Sequence, residues 1–96
     1  MNAQDAMKRL RGTLIDEGQD RYRLASGKTL LFVRLRGART PVQFAARDHV
    51  AFRIDDVNLT VEDLRTHGVR KTFPWNLVES VVVGELESDN SDLFQG

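Results

Sequence analysis

Arginines at alternate positions are the residues of this chain whose type and spacing most directly suggest a chemical role. Arg21 and Arg23 lie two residues apart, and so do Arg34 and Arg36. In a β-strand this spacing places both side chains on one face of the sheet. A guanidinium group donates two hydrogen bonds at once to a phosphate, so a row of arginines can follow a nucleic-acid backbone. Together with Arg39 in the next loop, these residues form the arginine set, which the sequence nominates for nucleic-acid binding.

The charge distribution permits a second interpretation of the arginine set. Net charge is zero, but residues 1–54 hold 11 basic and 5 acidic residues, whereas residues 55–96 hold 3 basic and 9 acidic ones. The resulting +6 and −6 predict either separate basic and acidic surfaces or two halves that attract each other. In the second case the arginines form a solvated sheet face, partly neutralised by Glu85, Glu87 and Asp89. Tyr22 falls on the face opposite Arg21 and Arg23, which disfavours base stacking beside them.

Residues that could support catalysis are few. The chain has no cysteine, which excludes disulfides and thiolate metal sites, and it has only two histidines, His49 and His67. Neither histidine has a second one at metal-ligand spacing, and no glycine-rich phosphate loop is present. We therefore expect no cofactor, and a binding protein is favoured over an enzyme.

The acidic end of the chain offers a different kind of site. The segment Asn90-Ser91-Asp92-Leu93-Phe94 resembles the short linear motifs that dock on the bacterial sliding clamp, although Asn90 stands where those motifs usually have glutamine. The resemblance implies protein binding through Leu93 and Phe94. The alternative is that both side chains fold back on the body of the protein. We assign residues 88–96 to an acidic tail and residues 1–87 to one compact β-rich domain.

Local patterns predict the elements that position these residues. Asn2 suits the N-cap of a helix over Ala3 to Leu10, because residues 3, 6, 7 and 10 form one apolar stripe that ends before Gly12. Ser26-Gly27 suits a two-residue hairpin turn, which would place Arg21 and Arg23 beside Arg34 and Arg36. Strands are expected at Thr13–Asp16, Arg21–Ala25, Thr29–Arg36, Val42–Ala45 and His49–Asp55, with Val50, Phe52 and Ile54 facing inward and His49, Ala51 and Arg53 outward.

The region after Asp55 predicts a second, shorter helix. Thr60 and Asp63 have capping-box spacing, and the charge order from Glu62 to His67 suits a helix dipole. Gly68 lies where a left-handed residue would end this helix.

The segment from Val69 to Leu86 predicts a corner between two strands. Pro74 interrupts the first strand because it has no N–H for a ladder. Trp75, the only tryptophan, follows it and should be at least half buried. Asn76 to Glu79 suits a single 3₁₀ turn, and Ser80 to Leu86 reads as a strand rich in valine.

The order of these elements resembles that of small Sm-like barrels, which have an N-terminal helix, a bent antiparallel sheet and a 3₁₀ turn before the last strand. The helix, the strands from Thr13 to Arg36, and Phe73 to Val83 carry the resemblance, with Val42 to Gly68 as an insertion. The resemblance implies a mainly β fold: a small, strongly bent antiparallel barrel with an N-terminal helix and one short internal helix. It transfers no RNA-binding residue.

A rival resemblance lies within residues 49–69. The run from His49 to Asp56, followed by Leu64-Arg65 and Gly68-Val69, is similar to the opening of a vicinal-oxygen-chelate (glyoxalase-like) module. This resemblance implies a divalent metal bound by His49 with Glu79 or Glu85. Because that family needs two βαβββ modules for each site, it also implies a dimer that acts as a metal-dependent lyase or ligand-binding protein.

Taken together, these patterns favour a small non-enzymatic binding module whose partner is a nucleic acid or a protein. The longest unbroken apolar runs, Leu30–Val33 and Val81–Val83, are too short for a membrane span. We therefore expect a cytoplasmic protein that does not insert into membranes and that could associate with itself through open sheet edges.

Overall fold

In the computed structural model, which describes residues 1–85, a single α-helix precedes two antiparallel sheets. One sheet has five strands in the order β1-β2-β5-β6-β7, and the other has three in the order β4-β3-β8. The predicted mainly β fold with an N-terminal helix is confirmed, but the described strands do not close into a barrel. The element bounds are α1 (Ala3–Arg11), β1 (Ile15–Asp16), β2 (Arg21–Arg23), β3 (Thr29–Leu35), β4 (Val42–Ala45), β5 (Val50–Ile54), β6 (Asn58–Asp63), β7 (Val69–Pro74) and β8 (Val78–Glu85), with 3₁₀ turns at Ala46–Asp48 and Trp75–Leu77.

A long hairpin that turns a corner connects the two sheets. One arm contains β2 and β3, the other contains β4 and β5, and residues 36–41 join the arms. Near this loop β3 pairs with β4, and farther away β2 pairs with β5. If the β3–β4 register continued unchanged into β2 and β5, Arg23 would lie opposite Phe52. Its observed partner is Ala51, so the two registers differ by one residue. The arms therefore keep nearly one register while both pass from one sheet to the other, as strands at a sheet corner do.

Local geometry at residues 46–49 produces the bend in the second arm. Ala46–Asp48 forms a 3₁₀ turn, and the Asp48 side chain accepts a hydrogen bond from the Ala45 N–H at 2.7 Å. His49 then adopts a left-handed conformation with φ of 53°, which redirects the chain into β5. On the other arm, the Ser26 carbonyl accepts from the Thr29 N–H at 3.1 Å and closes a turn there.

The core lies between the two sheets and α1. Ala6 and Leu10 of the helix are fully buried, as the apolar stripe predicted, and the Asn2 side chain caps the helix by accepting from the Asp5 N–H at 2.9 Å. Phe44 of the smaller sheet meets Phe52 of the larger one edge to face, with ring centroids 5.7 Å apart. Burial of these apolar groups holds the two sheets together across the corner.

Residue alternation in β5 follows the prediction except at Ala51. Val50, Phe52 and Ile54 face the core as expected. Ala51 lies on the outer face but is fully buried, because Arg23 and Glu62 are its partners on the neighbouring strands and their long side chains flank it.

The predicted internal helix over residues 60–67 is wrong, because this segment is β6 and a turn. Leu59 and Val61 are buried at alternate positions of a strand that pairs with both β5 and β7. The Asp63 side chain, expected at a helix start, instead accepts from the N–H groups of Arg65 and Thr66 at 2.8 and 3.2 Å. The left-handed residue of this turn is His67, with φ of 62°, and not Gly68.

A corner at Pro74 and Trp75 links β7 of the larger sheet to β8 of the smaller one. Its 3₁₀ turn spans Trp75–Leu77 and not the predicted Asn76–Glu79, and β8 begins at Val78 and not at Ser80, because Pro74 remains paired with Asn58 at the end of β7. Trp75 is only 4% exposed, which confirms its expected burial. Its indole N–H donates to the Asp55 carbonyl at 2.7 Å, and its backbone N–H donates to the Val57 carbonyl at 2.9 Å. Trp75 therefore ties the β5–β6 turn to the crossing between sheets.

We expect Trp75→Ala to lower the free energy of unfolding by about 3–5 kcal/mol, because it removes a large buried side chain and leaves the Asp55 carbonyl unpaired. Leu77→Ala, in the same 3₁₀ turn but 52% exposed, is the matched control and should change stability by less than about 0.5 kcal/mol. Urea denaturation measures both. Equal effects of the two substitutions would contradict the structural role of Trp75.

The β6–β7 turn predicts a pH-dependent stability. Hydrogen bonds from the Arg65 and Thr66 N–H groups hold the pKa of Asp63 below its ordinary value of 3.8. A carboxyl whose folded pKa is lowered stabilises the fold above its unfolded pKa and loses this effect as pH falls through the folded pKa. Wild type should therefore melt at a higher temperature than Asp63→Asn near neutral pH. This difference in melting temperature should shrink as the pH falls below about 4.

Thr66→Ala is the control for this measurement. It removes a hydroxyl that accepts from the Gly68 N–H at 3.3 Å in the same turn but does not titrate. Its effect on the melting temperature should be the same near neutral pH and below about pH 4. If the difference in melting temperature between wild type and Asp63→Asn does not depend on pH, the pKa of Asp63 is not lowered by these hydrogen bonds.

Candidate functional site

The structure divides the arginine set between the two sheets. Arg21 and Arg23 lie on β2 of the larger sheet, whereas Arg34 lies on β3 of the smaller sheet and Arg36 directly follows it. The predicted β2–β3 hairpin at Ser26-Gly27 is wrong, because β2 pairs with β1 and β5, and β3 pairs with β4 and β8. The expected face of four arginines on one hairpin therefore does not form.

Arg21 and Arg23 belong to a ladder of ion pairs on the outer face of the larger sheet. Arg21 Nε lies 3.4 Å from Glu62 Oε1 and 3.7 Å from Glu17 Oε1. Arg23 Nη1 lies 3.5 Å from Glu17 Oε2, and Arg53 Nε lies 3.1 Å from Glu62 Oε1. We call these residues the ion-pair ladder: Glu17, Arg21, Arg23, Arg53 and Glu62.

The ion-pair ladder neutralises much of the basic charge expected on this face. Among residues 1–85, its acidic partners are Glu17 and Glu62, and not the predicted Glu85, which ends β8 in the other sheet. The other two predicted partners, Glu87 and Asp89, lie outside the described residues. The role of Glu62 was missed because the sequence placed it in a helix. The alternation of β6 offered a signal, since it sets Glu62 on the same face as Thr60 and beside β5.

Arg34, Arg36 and Arg39 form a second group, the distal arginine cluster, at the loop end of the long hairpin. All three are exposed, and none forms an ion pair with any residue in the range 1–85. The backbone that carries them is held in place, because the Arg36 N–H donates to the Leu77 carbonyl at 2.9 Å. The Ala38 N–H donates to the Leu35 carbonyl at 3.1 Å, and Gly37 supplies the positive φ of 78° between them.

The metal ligands implied by the glyoxalase-like resemblance lie on different sheets. His49 precedes β5 of the larger sheet, and Glu79 lies on β8 of the smaller sheet, as does Glu85. Across the described part of the chain, no three His, Asp or Glu side chains are grouped so that they could hold a metal ion. The segment expected to supply the module's helix is β6 followed by a turn, so the local element order that this resemblance implied is absent.

One partly exposed aromatic side chain, Phe32, lies two residues from Arg34 on the same face of β3. Five of the six aromatic residues between positions 1 and 85 are buried, and the other, Phe32, is partly buried. Those five are Tyr22, Phe44, Phe52, Phe73 and Trp75. The described surface therefore offers no fully exposed ring, and Phe32 is the only one of its rings that a base could partly reach.

Two further predictions concern parts of the chain beyond this description. Leu93 and Phe94, nominated for protein binding, lie outside the described residues, and so does the proposed domain boundary at residue 87. Within residues 1–85, no helix is long and apolar enough to cross a membrane.

Comparison of this chain with protein-family models, with curated proteins and with solved structures finds no significant match to any of them.

Proposed function

We propose that this chain is a small non-enzymatic binding module that engages the phosphate backbone of a nucleic acid. The observation that carries the proposal is the distal arginine cluster: three exposed guanidinium groups without an acidic partner in residues 1–85. A phosphate approaching them need not displace an existing ion pair, whereas one approaching Arg21 or Arg23 competes with Glu17 and Glu62. Of the predicted arginine set, Arg34, Arg36 and Arg39 are therefore the favoured contacts.

The position of the cluster also supports contact with an extended, charged partner. Arg34 lies on the outer face of β3 opposite Ser80, and Arg36 and Arg39 lie just beyond the strand in the hairpin loop. Leu77, which is 52% exposed, adjoins this end through its hydrogen bond with Arg36 and provides a small apolar contact. The backbone hydrogen bonds of Arg36 and Ala38 reduce the entropy that this part of the loop would lose on binding.

Because no aromatic ring of residues 1–85 is fully exposed, the proposed recognition depends on the charge of the partner and not on its bases. Phosphate contacts position a protein on a nucleic acid but carry no direct sequence information. We therefore expect nucleic-acid binding to be weak, to depend strongly on salt concentration and to be similar for different nucleotide sequences. Protein binding through Leu93 and Phe94 stays a separate prediction.

The test is a salt titration of binding to a labelled 20-base-pair duplex, followed by fluorescence anisotropy. Three phosphate contacts predict that log Kobs falls with log salt concentration with a slope of about −2 to −3. Replacing Arg34, Arg36 or Arg39 singly by glutamine should make the slope shallower by about 0.7–0.9 and weaken binding to two unrelated duplex sequences equally.

Arg23→Gln is the matched control, since it removes the same charge from the ion-pair ladder. It should leave the salt slope unchanged. An equal loss from Arg23→Gln and Arg36→Gln would assign the effect to overall charge, and the absence of salt-dependent binding by wild type would refute the proposed function.

A further inference from the structure

The edge of β8 that faces away from β3 is a second surface for which a binding partner can be inferred. β8 is an edge strand of the smaller sheet, with β3 on one side. On its other side α1 covers only the first part, because the Met1 amino group donates to the Val78 carbonyl at 2.9 Å and Arg9 Nη1 lies 3.4 Å from the Val81 carbonyl. Between Val82 and Glu85, the described residues of α1 form no further hydrogen bond with this edge.

Shallow grooves mark this uncovered part of the edge. One, with a volume of about 280 Å³, is lined by Arg9, Thr13 and residues 81–83. The other, of about 410 Å³, shares Thr13 and Val83 and continues past Gly84 and Glu85. Val82, at 49% exposed, is one of the few large apolar side chains that the described surface leaves open.

Backbone alternation shows which groups this edge presents. In an antiparallel ladder, alternate residues direct both their N–H and C=O groups toward one neighbour, and the residues between direct theirs to the other side. Since the Val81 carbonyl meets Arg9 on the side away from β3, Val83 and Glu85 present their N–H and C=O groups on that same side. Such a row is a template for another strand.

We propose that this edge pairs with the same edge of a second copy of the chain, in an antiparallel dimer centred on Val83. The two Val83 residues exchange N–H···O=C bonds across a two-fold axis, and Glu85 of each copy lies opposite Val81 of the other, whose carbonyl keeps its hydrogen bond from Arg9. The two three-stranded sheets then join into one six-stranded sheet.

Charge complementarity selects a second copy as the occupant. Arg9 lies beside Val81, and this register brings Glu85 of the other copy opposite Val81. The two-fold axis repeats the contact, so the dimer gains two Arg9–Glu85 pairs. A partner strand without an acidic residue at this point would leave Arg9 without that contact.

Shape complementarity supports the same register. Val82 of one copy falls opposite Gly84 of the other. Gly84 has no side chain, and a Cβ there would approach Phe32 Cε2 to 3.2 Å, so the Phe32 ring lies over Gly84 on the outer face of the sheet. The exposed Val82 side chain therefore packs against the Phe32 ring of the other copy, which buries apolar surface on both copies.

Sedimentation equilibrium of the full chain tests this proposal. Wild type should show a reversible monomer–dimer equilibrium, and Arg9→Glu and Glu85→Arg should each raise the dimer Kd by about tenfold or more, because each places two like-charged pairs in the interface. The double variant that carries both substitutions should return the Kd to within about threefold of wild type, because it restores attraction with the charges reversed.

Lys8→Glu is the control, because it makes the same charge change as Arg9→Glu on an exposed neighbouring residue of α1. It should leave the Kd unchanged, and thermal melts verify that each variant is folded. A wild-type chain that stays monomeric up to about 1 mM would overturn the proposal. So would a dimer whose Kd neither responds to the single charge reversals nor recovers in the double variant.

Discussion

The burial of one apolar layer between two sheets that share a hairpin is the constraint on which the structure depends. Neither sheet could bury its inner face alone, and the bends at residues 24–28 and 46–49 turn the two faces toward each other. The contact of Phe44 with Phe52 joins the sheets within this layer. The third connection between the sheets runs from β7 to β8, and Trp75 holds it in place by donating a hydrogen bond to the Asp55 carbonyl.

The same bend decides which charged residues are available to a partner. It separates Arg21 and Arg23, which meet Glu17 and Glu62 on the larger sheet, from the distal arginine cluster at the loop end. Ion pairs at partly exposed positions contribute little to stability, so the ladder acts mainly by occupying its own arginines. The distal arginine cluster is left exposed, and the edge at β8 offers backbone groups together with the charges of Arg9 and Glu85.

Local signals predicted local structure well. The Asn2 cap, the inward alternation of β5 and the buried Trp75 all follow from short-range patterns. The segment after Asp55 was misassigned because Thr60 and Asp63 satisfy helix-capping spacing, while the same Asp63 side chain can close a turn between strands. Strand pairing was missed for a different reason: Ser26-Gly27 favours a local hairpin, whereas β2 pairs with β5, about thirty residues away. Because the site depends on that pairing, the separation of the arginines could not be predicted.

Backbone nuclear Overhauser effects test the bent hairpin most directly. If both arms turn the corner together, cross-strand effects should connect Tyr22 with Phe52 and Phe32 with Gln43 in the same sample, because these are register partners in the two sheets. Cross-strand effects between Arg23 and Leu30 should be missing. Their presence, with loss of those between Tyr22 and Phe52, would show that Ser26-Gly27 is a hairpin turn and would contradict the architecture from which both proposed interfaces are derived.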